Sequence, residues 1–310
     1  MAIGKKRIGG PASPAQARPG QSEDAVADNQ DRLAGKGALY LVATPIGNLG
    51  DLSRRAEQVL ADADLVAAED TRVTRGLLTH LGLSKPLVAC HQHNEQASAS
   101  GLMAALAQGK RVALVSDAGT PGISDPGFAA VQAAIQAGHA VVPVPGASAA
   151  LAALTASGLA PQPFYFGGFL PRQSKQRREQ AGALKGLKAT LVFYESPHRV
   201  RECLQDLAQA LGPRPACLGR ELTKLHEEFV RGTLEELAVA GFAERGEFTL
   251  VVQGAPEPKA PDPQDLGPQE LARLLEQAMA QGKSRNQAVA SVARAAGLSR
   301  EEVYRKAHGL

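Results

Sequence analysis

Three segments rich in glycine and proline each follow a short apolar run: Thr44-Pro45-Ile46-Gly47-Asn48, Ser116–Gly127 (SDAGTPGISDPG) and Pro145-Gly146-Ala147-Ser148. Glycine lets backbone amides and carbonyls approach a small molecule, and proline fixes a loop before binding, which lowers the cost of ordering it. Such loops suit the capture of a small polar ligand. In open α/β sheets ligands sit outside the carboxyl ends of the strands, where loops following apolar runs would lie. A second concentration of reactive groups is Glu69-Asp70-Thr71-Arg72 together with His93-Asn94-Glu95. Its plainest structural reading is a helix cap with an acidic first turn.

Other chemistries are poorly served. Cys90, His91, His93 and Glu95 lie within six residues, and three of them would share a face if extended. A catalytic zinc needs three ligands with supported second shells, so a polar loop lining a pocket is expected here and no metal. No G-x-G-x-x-G opens a helix after a strand, and G-x-x-x-x-G-K-[ST] is absent, which sets aside dinucleotide and P-loop readings. Without a G-x-S-x-G elbow, a serine nucleophile is equally unsupported.

The loops require elements to position them. Apolar runs at Ala38–Ala43, Asp64–Ala68, Pro86–His91, Arg111–Val115 and Ala140–Val144 read as strands. Between them, helices are expected with Leu52, Ala56, Val59 and Leu60 on one face after an Asp51 cap, through Leu77–Leu81, over Gly101–Gln108 and over Phe128–Ala137. A small-residue helix, Ala149–Ser157, closes this part. Alternating apolar strands and helices predict a mostly parallel α/β sheet. Further strands at Phe164–Gly168, Thr190–Glu195, Ala216–Arg220, Phe229–Thr233 and Glu247–Gln253 predict a second α/β domain with some antiparallel pairing. The expected division is a disordered tail over 1–36, domains over 37–158 and 159–254, a proline-rich linker over 255–267, and a small helical unit with helix–turn–helix rhythm over 268–310.

At 310 residues and 44% apolar composition the chain can bury a sizeable core. Aromatics are 4% with no tryptophan, which argues against a broad stacking platform for single-stranded nucleic acid. No window is apolar enough to span a membrane, no secretory h-region is visible, and three widely separated cysteines suggest a reduced, cytoplasmic setting. The net charge of +3 is uneven: residues 38–160 carry net −2 and residues 161–231 net +5. The second region could meet a polyanion, although a solvated basic surface is the blander reading.

Seven segments then carry a resemblance, in this order: LVATPIGN (41–48), AEDTRVT (68–74), His93-Asn94-Glu95, VSDAGTPGISDPG (115–127), VPGASAA (144–150), FGGFLPR (166–172) and FYESPHR (193–199). The chain resembles the ribosomal RNA small subunit methyltransferase I family of the tetrapyrrole methylase superfamily, the class III S-adenosylmethionine-dependent enzymes. The likeness runs from about Ala38 to Gln253, and the helical tail fits that family's C-terminal extension. It implies two α/β domains with the methyl donor in the cleft between them, usually in a homodimer. The implied activity is 2′-O-methylation of a cytidine ribose in the decoding centre of 16S rRNA. Carried over by position, the donor S-adenosylmethionine would be held by Pro45, Gly47, Asp117, Ala118, Gly119, Thr120, Pro121, Ser124, Asp125, Ala147 and Ser148.

In that setting the cluster Glu69, Asp70, Arg72, His93, Asn94 and Glu95 is expected to face the reacting ribose, with Glu95 or His93 as the base. RNA contacts fall to Arg172, Lys175, Arg177, Arg178, Arg199, Arg220 and Lys224, while His198 could stack or serve a structural role. The rivals are a sibling methylase acting on a tetrapyrrole or a protein, and a catalytically idle ribosome assembly factor. The basic 172–178 stretch and the intact loops speak against them.

Overall fold

The computed structural model describes residues 36–91, 95–256 and 267–307, with the backbone alone for 95–97. All but Lys36 of the expected tail, and most of the expected linker, lie outside the described residues. The chain divides into two units, ending and starting at Ala147 and Ser148.

In the first unit β1 (Ala38–Val42), β2 (Leu65–Ala68), β3 (Leu87–Ala89), β4 (Arg111–Val115) and β5 (Ala140–Val144) form one parallel sheet in the order β3-β2-β4-β1-β5. Apart from Arg111 at the start of β4, the central strands are apolar because both faces are covered. Tyr40, Val42, Val66, Ala113 and Val115 pack with α1 (Arg54–Asp62) and α2 (Thr71–His80) on one side. Leu39, Ala67, Val112 and Leu114 pack with α3 (Glu95–Ala107) and α4 (Phe128–Gln136) on the other. The doubly covered parallel sheet is the expected fold class.

Three local expectations are corrected. Asp51 does not cap α1; it lies in a 3-10 turn (Leu49–Asp51), and Ser53 accepts from the Ala56 nitrogen instead. Ser53 stands directly before the repeat that buries Ala56, Val59 and Leu60, so it is the residue whose side chain reaches the free amides. Helix α2 starts six residues earlier than its apolar stretch, because Asp70 accepts from the Arg72 nitrogen and caps it at Thr71. Helix α3 starts at Glu95, ahead of its apolar face. Its first residues, EQASA, carry good helix formers but no apolar repeat to announce them.

The second unit opens with α5 (Ala149–Ala156), which packs against strands of the second sheet, a correction to the expectation that it closes the first domain. An unrelieved run of small apolar residues has no polar face to say which sheet it covers. Strands β6 (Phe164–Phe169), β7 (Thr190–Glu195), β8 (Pro215–Arg220), β9 (Glu228–Thr233) and β10 (Phe248–Val252) run in the order β6-β7-β10-β8-β9. The β6–β7 pair is parallel and the rest are antiparallel, as the mixed pattern suggested. Helices α6 (Ser174–Ala183), α7 (Val200–Leu211) and α8 (Leu234–Val239) cover the face built from Leu191, Phe193, Leu250 and Val252. Helices α9 (Pro268–Ala280), α10 (Arg285–Ala296) and α11 (Arg300–Ala307) share a separate small core of Leu271, Val289, Val292 and Val303.

Candidate functional site

The loops after β1, β4 and β5 meet at the carboxyl end of the first sheet and are tied together by hydrogen bonds. Thr44 and Gly119 form an isolated antiparallel bridge, with N···O distances of 2.9 and 3.1 Å. Thr44 Oγ1 donates to the Ser116 carbonyl at 3.1 Å, and Ser116 Oγ to the Gly119 carbonyl at 3.2 Å. Thr120 Oγ1 donates to the Ala147 carbonyl at 3.3 Å, which brings in the β5 loop. That loop can come so close only because residue 146 is glycine: a Cβ there would stand 2.9 Å from the Cβ of Ala43. A buried network of this kind fixes the backbone before any ligand arrives.

Carboxylates crowd the same end. Burial, with Asp125, Asp117 and Asp70 nearby, pushes the Glu69 carboxyl above its ordinary range. Burial likewise raises Asp125, opposed by a hydrogen bond from Ser116 and reinforced by the charge of Asp117. Asp70 behaves in the opposite way: hydrogen bonds from the Arg72 side chain and backbone bring it down to about 2. Its carboxylate takes Arg72 in a two-pronged grip, Nε at 3.0 Å and Nη2 at 2.6 Å. Asp70 and Arg72 therefore form a cap and its clamp, and the plain structural reading of those two residues holds beside any role in chemistry.

A cavity of about 270 Å³ opens beside these loops, lined by Thr44, Pro45, Gly47, Ser116 and Asp117 and, from α2, by Val73, Thr74, Leu77 and His80. The α2 residues were missed from the sequence. Their signal was the Val73/Leu77 pair one turn apart on the helix that follows the acidic motif.

Of the residues expected to bind a donor, all but Ser148 belong to the first unit; Ser148 begins the second and stands as the N-cap residue of α5. Ser124 Oγ is buried without a hydrogen-bond partner among the described residues, an acceptor or donor held ready. The loops thus offer backbone groups, a buried hydroxyl and carboxyl groups to a small polar ligand. His93 and Asn94 lie outside the described residues, and Glu95 is placed only as the first residue of α3.

The expected cations of the second unit are not equivalent. Arg177 has no exposed side-chain surface and pairs with Asp206 at 2.6 Å and Glu202 at 3.2 Å. It also donates to the carbonyls of Pro171 and Arg172, so it is a strut of the core and cannot meet a phosphate. Arg178 pairs with Asp206 at 2.9 Å, Arg199 with the buried Glu195 at 2.6 Å, and Arg220 with Glu228 at 2.9 Å. Lys224 is shared between Glu221 and Glu247. Arg172 and Lys175 are exposed in the turn before α6 and at its start. Charge counting does not separate the seven, because pairing is set by the fold: Asp206 is far along the chain from Arg177 and Arg178, and nearness alone does not join Arg199 to Glu195 or Lys224 to Glu221.

The family model of tetrapyrrole (corrin/porphyrin) methylases matches residues 38–238. The chain is 48% identical over 279 residues to a protein of Halalkalibacterium halodurans named ribosomal RNA small subunit methyltransferase I, covering 88% of this chain and 95% of the relative. A Bacillus subtilis protein of the same name is 44% identical over 88% of this chain and 94% of its own length. Among solved structures, the uroporphyrin-III-C-methyltransferase of Thermus thermophilus is similar at 26% identity and a TM-score of 0.51, over 70% of this chain and 94% of that one.

Proposed function

The chain belongs to the tetrapyrrole methylase family, and from that membership we propose that it is an S-adenosylmethionine-dependent methyltransferase acting on ribosomal RNA, with the 2′-oxygen of a cytidine in the decoding centre of 16S rRNA as the acceptor. The names of relatives at 44% and 48% identity support small-subunit RNA as the substrate. The observation that carries the reading is the interlocked set of loops after β1, β4 and β5, joined through Thr44–Gly119 and Thr120–Ala147, with the carboxyl groups of Asp117, Asp125 and Glu69 close to one another. Neighbouring carboxyl groups favour a ligand that carries a positive charge.

The donor would be held by Pro45 and Gly47, by Asp117 through Pro121, by Ser124 and Asp125, and by Ala147 and Ser148. When bound it supplies a methyl group on a positively charged sulfur, which the ribose oxygen accepts in line as the carbon–sulfur bond breaks. The protein's task is placement first, since an aligned acceptor within about 3 Å gains most of the rate from proximity. The hydroxyl proton passes to Glu95 or His93, with Glu69, Asp70, Arg72 and Asn94 as the other polar residues of the proposed cluster. Arg172 and Lys175 neutralise phosphates of the RNA, with Arg178, Arg199, Arg220 and Lys224 lending partly neutralised charge behind them. The reading carries with it a cytoplasmic homodimer acting on 16S rRNA or the 30S subunit. No helix among the described residues is long and apolar enough to cross a membrane.

The test is methyl transfer from labelled S-adenosylmethionine to undermethylated 30S subunits and to naked 16S rRNA, followed by ribose mapping. One new 2′-O-methylcytidine in the decoding region is the expected result. Donor binding without transfer to RNA would redirect the search to small-molecule or protein acceptors, and RNA binding without donor affinity would mean an assembly factor.

A further inference from the structure

The second sheet ends in an aromatic arrangement that none of the roles above uses. Strand β6 (Phe164–Phe169) pairs in register with β7 (Thr190–Glu195) up to Phe166↔Val192, and resumes at Phe169↔Tyr194. Three steps along β6 therefore match two along β7, so one extra residue is accommodated at Gly167-Gly168. The bulge depends on those glycines. Gly168 sits at φ +60°, and a Cβ on Gly167 would stand 2.5 Å from the Phe193 ring.

The extra residue decides where Phe169 points. Side chains alternate along a strand, and Tyr165 packs on the core beneath α6–α8. In an unbroken strand Phe169 would face that core as well. After the bulge it shares the opposite face with Phe166, and both rings meet Tyr194 edge-on, at 4.9 Å for Phe166 and 5.6 Å for Phe169. Tyr194 is itself anchored, since its hydroxyl accepts from the Ala150 nitrogen at 3.2 Å. Phe169 is thus braced by one anchored aromatic, Tyr194, while 55% of its own surface stays open.

The surroundings give the charge of the partner. Arg172 is exposed three residues on, and Lys175 at the start of α6. The neighbouring turn after β7 exposes His198, and Arg199 Nη1 lies 3.5 Å from the Leu170 carbonyl, holding the two turns side by side. An open, rigid ring beside unpaired cations is the combination that binds an unstacked nucleobase with its flanking phosphates. We infer that Phe169 is a stacking residue for a base of the acceptor RNA, with Arg172, Lys175 and His198 meeting the adjoining backbone. The inference rests on the reading of the chain as an RNA methyltransferase.

The chain has no tryptophan, so Phe169→Trp creates a single fluorescent reporter at this position. Titration with a single-stranded RNA of decoding-region sequence should quench the indole saturably. The same strand with an abasic residue at the stacked position should quench it less, and S-adenosylmethionine alone should leave it unchanged. In methyl transfer to 30S subunits, Phe169→Ala should raise KM for the subunit about tenfold or more. Its kcat and donor affinity should stay near wild type; Phe169→Tyr should restore KM and Phe169→Leu should not. Equal KM in Phe169→Leu and wild type would make the ring mere packing. Quenching by the donor but not by RNA, or no quenching by either, would overturn the inference while leaving wild-type transfer intact. Failure of the wild type itself to methylate rRNA would overturn the underlying reading and this inference with it. Thermal midpoints within a few degrees of wild type are expected for every variant of so exposed a side chain.

Discussion

The carboxylate of Asp117 accepts a hydrogen bond from the backbone nitrogen of Asp70 at 2.9 Å, joining the end of β2 to the long loop after β4. One side chain thus serves the shape of the acidic motif and adds charge to the loops proposed to hold the donor. Asp117→Asn keeps an oxygen in the same place and should preserve the thermal midpoint while weakening donor binding. Asp117→Ala loses both and should cost about 1 kcal/mol of stability as well. Calorimetric unfolding and donor titration on the two variants separate the roles; equal donor affinity in Asp117→Asn and wild type would take the charge out of the site.

The raised carboxyls of Glu69 and Asp125 give donor binding a pH dependence with a definite sign. Both are partly protonated at a pH where ordinary carboxylates are ionised, and a cationic ligand favours the ionised form. Affinity for S-adenosylmethionine should therefore rise with pH just above the usual carboxylate range, with protons released on binding. The demethylated product, lacking the sulfonium charge, should depend on pH more weakly. Titration calorimetry in buffers of different ionisation enthalpy checks this; matching pH profiles for the two ligands would sink it.

The base can be sought by pairing two substitutions. Glu95→Ala and Glu69→Gln should each be compared for turnover and donor affinity on 30S subunits. The residue that accepts the proton should lose turnover by roughly a hundredfold or more with donor affinity nearly intact. Turnover unchanged in one variant removes that residue from the chemistry.

Arg177 and Arg172 are only five positions apart in sequence but should fail in different ways. Arg177→Ala takes the buried partner from Asp206, leaving it Ser174 and Arg178, and should destabilise the fold by about 3 kcal/mol, with no change in the salt dependence of RNA binding for the folded fraction. Arg172→Ala and Lys175→Ala should leave stability alone, and each should lower the slope of log affinity against log salt by about 1. A reduced salt slope in a folded Arg177 variant would contradict the burial.

Asp206 also sets an acid limit. Burial alone would raise its carboxyl, yet hydrogen bonds from Arg178, Ser174 and Arg177 hold it below the ordinary range. A group depressed in the folded state contributes stability at neutral pH that disappears as pH falls below about 4. Unfolding midpoints followed from pH 7 downward should drop through that window, and the drop should be shallower in an Asp206→Asn variant.

The loops were legible in the sequence because each follows an apolar strand and carries the glycines and prolines that close backbone approach demands. The alternation of strands and helices revealed the parallel sheet for the same reason: a strand buried on both faces has little freedom in composition. Side-chain partners were not legible. Arg177 and Arg172 look alike along the chain, and only the fold brings Asp206 beneath the first and leaves solvent over the second. The starts of α2 and α3 were missed because caps and polar first turns precede the apolar repeat that periodicity detects. Gly167-Gly168 gave no hint that it would turn a phenylalanine from the interior to the surface.

The position of β1 in its sheet bears on the order in which the first unit folds. It is the first strand among the described residues, yet its two neighbours are β4 and β5, which follow it by about seventy and about a hundred residues. During synthesis β1 has no sheet partner until β4 has emerged and only one until β5 follows, and such distant pairings are the slow events of folding. The Thr44–Gly119 bridge and the Thr120–Ala147 bond form only on that completed frame. The loop frame would then be among the last features the first unit gains, and its appearance would report that this unit has finished folding.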